Sequence, residues 1–308
     1  MRISSSTLYQ SGVNNMSNLQ ANLLQVNTQI DNQKRVVTPS DDPVAAARIE
    51  LLNSANGQNS QYQKNTDSVA NWLSLSDSTL NSAINLMNSM KSEAIHANNG
   101  SLSTLQLQQI QQTVREGIDE LAGYGNATDG NGSYLFSGNQ VTVAPFTVDL
   151  NAVPAVTYNG DNGQHSVQVA ASRTMTISDP GNAVFGTPGG SPTGALDSLV
   201  NLYKLLGQNP RPANFSTQIG TVIGQISDAT QQLSVSQASV GAREQENANL
   251  QSMSTSLGLQ YNSGISDLQG LDMAKAISDF TMTQTSLQYT QKTYAQVAQL
   301  SLFNYISS

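Results

Sequence analysis

The sequence predicts a mainly α protein: a bundle of long coiled-coil helices formed by the N- and C-terminal parts, with a small β-rich domain inserted in the middle. Three observations carry this. Apolar residues recur at alternating spacings of three and four in both halves, the spacing of a coiled-coil seam. Between the halves, Asn-Gly and Asp-Gly pairs separate short alternating runs, the pattern of β-hairpins. Only 11% of the 308 residues are charged and 6% are aromatic, against roughly 25% charged in average globular chains. Gln, Asn, Ser and Thr replace the charges, so the apolar content suits slender helix packing better than a thick core. The length allows two or three domains.

In the first segment Met16, Leu19, Leu23, Val26 and Ile30 keep strict 3-4-3-4 spacing, and no charged residue occurs from Ile3 to Ile30. The stretch VVTPSDDP at 36–43 breaks the pattern. Pro39 holds Thr38 extended, and Asp42 can cap a helix that opens on Pro43, with the acidic pair Asp41-Asp42 at the positive end of its dipole. In the helix that follows, Tyr62, Thr66, Val69, Leu73, Ser76, Leu80, Ala83, Met87, Met90 and Ala94 keep a 4-3 seam until Asn98-Asn99-Gly100 stops it. Unbroken from Pro43, this helix is roughly 80 Å long at about 1.5 Å per residue; Gly57 is its one candidate interruption. Ser103 and Gln106 form a candidate capping box for a helix carrying Leu107, Ile110, Val114 and Leu121.

From Gly123 the texture is that of hairpins, in TDGNGSYLFSGNQ, in TYNGDNGQHSVQV and in the alternating run Ser166 to Val169, closed by the breaker cluster TPGGSPTG. Helical periodicity returns near Ala195. Ile219, Val222, Ile226, Ala229, Leu233, Ser236 and Val240 form a seam, continued after a phase shift by Leu250, Met253 and Leu257, and after another by Tyr261, Gly264, Leu268 and Leu271. A last helix from about Asp272 carries Ile277, Phe280, Leu287, Tyr294, Val297 and Leu300, and Lys292 is the one charge from Phe280 to Ser308. These elements divide into paired terminal helices (1–42 and 272–308), a long-helix bundle (43–130 and 194–271) and a small β domain (131–193). The simplest arrangement is a hairpin-like rod with the terminal pair as its base and the β domain at the far tip.

Several functions are disfavoured. A net charge of -8 with few Lys and Arg leaves no stripe for a phosphate backbone, so nucleic acid is not an expected partner. The absence of cysteine removes disulfides, thiolate metal sites and Cys nucleophiles. No stretch approaches the roughly 18–20 apolar residues of a membrane span, and the first residues lack the apolar core of a cleavable signal peptide. His96 and His165 stand in no metal-like spacing. Asp129 to Ser133 reads as a tight turn, since it lacks the alternating carboxylates and distal Glu of a calcium loop. Neither a phosphate-binding glycine loop nor a G-x-S-x-G nucleophile elbow occurs. Met87 and Met90 are seam residues, and Trp72 is either a bundle-edge cover or an exposed subunit contact. No enzyme, metal or cofactor is expected.

The charge-free ends carry the functional reading. Burying an unpaired charge is costly, whereas amides and hydroxyls are satisfied by neighbours. An apolar seam flanked by Gln, Ser and Thr can therefore be surrounded by copies of itself, as the inner wall of a polymer; an ordinary two-helix coiled coil is the other reading.

The chain resembles the flagellin-like axial proteins, and within them the branch at the junction of hook and filament. The resemblance rests on MRISSSTLYQ at the start, VVTPSDDPVAAARIE after the first helix, DGNGSYLFSGNQ with Ala144-Pro145-Phe146, VGAREQENANL with its core Gly241-Ala242-Arg243, and the C-terminal stretch from Asp272 ending in SLFNYISS. It covers nearly the whole length, least so about 147–185. Pro43 and Ser301-Leu302-Phe303 are more typical of the junction branch than of flagellin.

The resemblance implies a structural subunit outside the cell, exported unfolded through the flagellar type III apparatus with an export chaperone and without a cleaved signal. It implies contacts with copies of itself, with the first hook-associated protein and with flagellin, and none with nucleic acid or membrane. Met16, Leu19, Leu23, Val26, Ile30, Ile277, Phe280, Leu287, Tyr294 and Leu300 are then the expected assembly core. Asp41, Asp42, Pro43 and Arg243 are the expected lateral or loop-anchoring contacts. Flagellin itself is the competing reading, opposed by the short β insert and the SLFNYI ending. A type III secretion needle-tip or translocator protein is the reading from another class, and would not be expected to carry both terminal signatures. Each end alone has only a thin seam, so an isolated monomer should leave the ends largely unfolded. Hydrogen exchange of the monomer is expected to show weak protection over residues 3–30, and strong protection there would contradict it.

Overall fold

A computed structural model describes residues 2–306, with side chains described at residue 7 and over 9–296. Seven helices and four strands follow in order: α1 Arg2–Asn32, α2 Pro43–Ala97, α3 Thr104–Gly125, β1 Phe146–Val148, β2 Val156–Tyr158, β3 Ser166–Ala170, β4 Arg173–Thr176, α4 Gly181–Val184, α5 Ala195–Leu206, α6 Phe215–Gln269 and α7 Met273–Ile306. The fold is the expected one: long helices with small antiparallel sheets in the middle of the chain. It divides into two compact units, one of Met1–Asn59 with Ser256–Ser308 and one of Ser60–Thr255.

The larger unit owes its core to the predicted seam. From Thr66 to Ala94 every predicted seam position of α2 is buried, including Leu73, Leu80 and Met87 at 0% exposure, and Tyr62 is half-buried. These residues join one core with Leu107, Ile110, Val114, Ile118 and Leu121 of α3, with most of α5, and with Ile219 to Val240 of α6. Gly57 does not interrupt α2. The capping box of α3 is present: the Ser103 hydroxyl accepts from the Gln106 N–H at 3.3 Å, and the Gln106 side chain accepts from the Ser103 N–H at 2.9 Å.

The seam of α6 differs from the sequence reading in one respect. It needs no phase shift after Val240. Buried Asn247 and Ser254 and half-buried Leu250 and Leu257 continue the same 3-4 alternation. Met253, whose position implied the shift, is 51% exposed. Polar seam residues hid the continuity.

The middle segment is less regular than its turn signals predict. Two two-stranded antiparallel ribbons form, β1 with β2 and β3 with β4, the second with an irregular register at Gln168/Ala170. The stretch 127–145 contributes only an isolated bridge, Thr128 with Tyr134, outside those strands. Its Asp129 carboxylate accepts from the N–H groups of Asn131 and Ser133, so the Asp-Gly-Asn-Gly run is the tight turn expected. Gly138, at φ 72°, lies so close to the Asp161 carbonyl that a Cβ would sit 2.4 Å from it. Much of the segment is held by aromatic packing instead of ladders. Phe146 and Phe136 each meet Phe185, with ring centroids 5.5 and 5.3 Å apart, and Phe146 meets Tyr158 at 5.2 Å. The Asn126 side chain exchanges two hydrogen bonds with the Phe146 backbone, at 2.8 and 2.9 Å, and so replaces one rung of a strand.

In the smaller unit α1 pairs with α7. The sequence reading expected the isolated monomer to leave both ends largely unfolded; in the single chain each end is instead helical and paired with the other. A second small cluster joins Val36, Ala45 and Ile49 with half-buried Ala46, Ile265 and Leu268.

Candidate assembly interface

The terminal pair is built from one half-buried seam on each helix. On α1 Met16, Leu19, Leu23, Val26 and Ile30 are all half-buried, and most positions between them are exposed. On α7 Phe280, Leu287 and Tyr294 are half-buried, and Leu300 lies outside the residues whose side chains are described. Ile277 stands off the seam and is 52% exposed. Its expected place is taken by Ala276, 5% exposed. The seam then runs Ala276, Phe280, Thr283, Leu287, Thr290, Tyr294, each buried or half-buried at 4-3-4-3-4 spacing. A search for large apolar residues passes over the alanine and the two threonines. Tyr9 closes edge-on against Tyr294, centroids 5.9 Å apart.

The pairing leaves apolar side chains outside the seam. On α7 these include Met282 and Tyr289, at 64% and 68% exposure, beside Ile277; among the described side chains of α1 they are Val13 and Leu24, at 40% and 68%.

The turn that follows α1 explains Asp41, Asp42 and Pro43. One Asp41 oxygen accepts from the backbone N–H of Thr38 at 2.8 Å and Val37 at 3.0 Å, and the other from the Gln25 amide at 2.9 Å. Asp42 accepts from the Ala45 N–H at 3.0 Å and from Arg35 at 3.1 Å, which makes it the cap of α2, with Pro43 as the exposed first residue. Arg35 also donates to the Leu268 carbonyl at 2.9 Å, and its N–H donates to Gln269 at 2.8 Å. The turn between α1 and α2 is thereby tied to the turn between α6 and α7, where Lys34 bridges Gly270.

These hydrogen bonds set the acid behaviour. The Thr38 N–H, followed by lesser donors, holds the Asp41 carboxyl below its usual range. The Ala45 N–H, then Arg35, does the same for Asp42. A carboxylate with a lowered folded pKa contributes stability that is present above its unfolded pKa and is lost as pH falls through the folded value.

Arg243 is turned inward. Only 15% of its side chain is exposed. It pairs with Asp179 and donates to the Thr176 carbonyl at 3.1 Å. Three residues on, Glu246 takes a bidentate contact from Arg173 at 2.6 and 2.8 Å. Together the two pairs clamp β4 and the chain after it to α6. The sequence could place Arg243 on a helix, but its partner lies 64 residues away and no local signal announces it. Arg173 and Glu246 were missed for the same reason.

Among the described residues there is no group of three or more His, Cys, Asp or Glu that could hold a metal, and no helix long and apolar enough to cross a membrane.

Residues 3–141 match the bacterial flagellin N-terminal helical region. The chain resembles flagellar hook-associated protein 3 over nearly its whole length: it is 28% identical to that of Salmonella typhimurium, with 98% of this chain and 99% of the relative covered, and 28% identical to that of Escherichia coli over the same shares. The fold matches the crystal structure of Xanthomonas campestris FlgL, with a TM-score of 0.63, 18% identity, and 70% of this chain and 99% of that one covered. It also matches the flagellar junction protein FlgL from Legionella pneumophila, with a TM-score of 0.60, 16% identity, and 72% of this chain and 100% of that one covered.

Two outcomes are expected. Lowering the pH below about 4 should raise amide exchange over residues 35–45 before the larger unit unfolds, because Asp41 and Asp42 take up protons there; unchanged exchange in that segment would contradict this. Replacing Arg243 by Met should cost about 1–3 kcal/mol, since it leaves the Asp179 carboxylate without its main partner. Chemical denaturation measures the loss, and exchange should rise over 173–179.

Proposed function

We propose that the chain is the structural subunit that joins the hook, through the first hook-associated protein, to the flagellin filament, and that it has no enzymatic role. Its likeness to flagellar hook-associated protein 3 from end to end carries this reading, and favours it over flagellin itself. The name of that relative places it with the hook of the flagellum, and association with other axial components follows.

In this reading the terminal pair (1–42 and 272–308) forms the inner core of a ring of copies. The long helices (43–130 and 194–271) form the outer tube, and the β domain (131–193) faces solvent. Met16, Leu19, Leu23, Val26, Ile30, Phe280, Leu287, Tyr294 and Leu300 hold the core helices together, and Ile277, exposed in the single chain, meets a neighbour. Asp41, Asp42 and Pro43 fix the turn from which the core helices depart. Arg243 anchors the β insert to α6. Torque passes from hook to filament through packed helices, and a surface with few charges lets identical helices close on one another with few ions stranded. The chain reaches the outside unfolded, with an export chaperone, through the type III export apparatus; the absence of cysteine means that no disulfide has to form there.

The test is deletion of the gene in its own cell, with electron microscopy of the surface and an assay of shed flagellin. Cells with hooks but no filaments, and flagellin in the medium, are expected. Normal filaments would overturn the reading; hooks without filaments and without shed flagellin would point to flagellin itself.

A further inference from the structure

The chain holds five Asn-Gly pairs, at 56–57, 99–100, 131–132, 159–160 and 162–163. In such a pair the glycine nitrogen has no Cβ beside it and can attack the asparagine side chain, provided that nitrogen and amide are both free to meet. The fold holds four of the five. Asn56 and Gly57 lie inside α2, where the Gly57 N–H is committed to the helix, and the Asn56 amide donates to Asn262 at 3.0 Å. The Asn99 amide oxygen accepts from the Ser101 N–H at 3.1 Å. The Asn159 amide donates to the Thr147 hydroxyl at 2.8 Å, and Gly160 is packed so closely that a Cβ would stand 2.5 Å from the Tyr158 hydroxyl. Asn162 accepts from the Asn182 amide at 2.6 Å, while the Gly163 N–H donates to Asp161 at 2.8 Å.

Asn131-Gly132 differs on every count. Both residues are exposed. Among the described residues neither the Asn131 side chain nor the Gly132 N–H has a hydrogen-bond partner. Gly132 stands at φ 93°, with nothing within 4 Å of where a Cβ would be. The Asp129 carboxylate gathers the N–H groups on either side, from Asn131 at 2.8 Å and Ser133 at 3.0 Å, and leaves the one between them open.

We propose that Asn131 is a self-modification site, at which the chain deamidates in water without an enzyme. The Gly132 nitrogen gives its proton to hydroxide and bonds to Asn131 Cγ; the Cγ–Nδ2 bond breaks, and ammonia leaves with a proton from water. Water then opens the cyclic imide at one of its two carbonyls, giving aspartate or isoaspartate. Nothing is oxidised or reduced. Either product adds a negative charge two residues from Asp129. Isoaspartate also lengthens the backbone by one methylene between the two N–H groups that Asp129 holds, so the turn loosens as the chain ages.

The test incubates the purified full chain at mildly alkaline pH, folded and in guanidinium, and follows all five pairs by peptide mapping with mass spectrometry. In the folded chain Asn131 is expected to lose its amide first. Its lead should be about threefold over Asn99, held by one side-chain hydrogen bond, and about tenfold over the other three, each held twice, because each hydrogen bond to be broken slows the reaction by a factor of about two to ten. In guanidinium the five should react at similar rates. Asn131→Gln should remove isoaspartate from the peptide spanning the turn and leave the other four pairs unchanged. A folded chain in which another pair reacts as fast as Asn131 overturns the assignment, and so does a lead that Asn131 keeps in guanidinium. Isoaspartate undiminished in the Asn131→Gln turn overturns it as well, since it would then arise at Asp129-Gly130.

Discussion

Everything in the larger unit depends on one thin apolar seam. A long helix with a single narrow stripe is marginal in water, and α2 is such a helix, with Thr66 and Ser76 on its buried face. The seam of α2 survives its polar members because their hydroxyls are satisfied. The Thr66 hydroxyl donates to the Gln63 carbonyl at 2.8 Å and the Ser76 hydroxyl to the Trp72 carbonyl at 2.9 Å. Asn247 of α6 crosses to the Thr66 carbonyl at 2.8 Å. A buried amide that finds its partner only at one level of the opposing helix fixes the register in which the helices meet, the best-attested use of polar groups in such seams. One turn on, the exposed Gln251 amide donates to Asp67 at 2.6 Å.

Once α2 and α6 are in register, the middle of the chain has a platform. α3 and α5 pack against each other and into the same core, and β1 leans on α3 through Asn126. The ribbons are too short to be stable alone. Aromatic contacts around Phe146 and Phe185, the Tyr158 hydroxyl that accepts from the Gly181 N–H at 3.1 Å, and the arginine clamps supply what the ladders lack. Burial raises the pKa of Tyr158, so that hydroxyl keeps its proton for the Phe136 carbonyl at 3.0 Å.

The helices were legible in the sequence because the seam repeats: ten positions of α2, spaced by four and three, were each read on the inner face. The errors fell where seam positions are small or polar. Asn247 and Ser254 made one continuous stripe look broken, and Ala276, Thr283 and Thr290 moved the reading of α7 onto Ile277. Size and apolarity mark a position only when burial demands them, and a half-buried seam between two thin helices tolerates threonine. The turn at Asp41 and Asp42 was legible because capping is local chemistry. The clamps at Arg243 and Arg173 were not, because their partners are set by the path of the β segment. The hairpin signals were right about turns and wrong about ladders around 127–145, where side-chain packing and Asn126 replace backbone pairing.

The placement of charge links fold to function. The few arginines that make ion pairs do so at joints: Arg35 where two turns meet, Arg173 and Arg243 where the β segment meets α6. Such pairs need a fixed geometry, and each carboxylate involved is held by a single chain. Under the proposed function the long faces of α1 and α7 have the opposite requirement. A contact among copies repeats every side chain many times, so one unpaired charge on such a face would be desolvated in every subunit, whereas Gln, Asn, Ser and Thr find partners in either direction. Ion pairs at the joints and a sparsely charged terminal pair, with no charge from Ile3 to Ile30 of α1, are the distribution that the proposed packing of copies calls for.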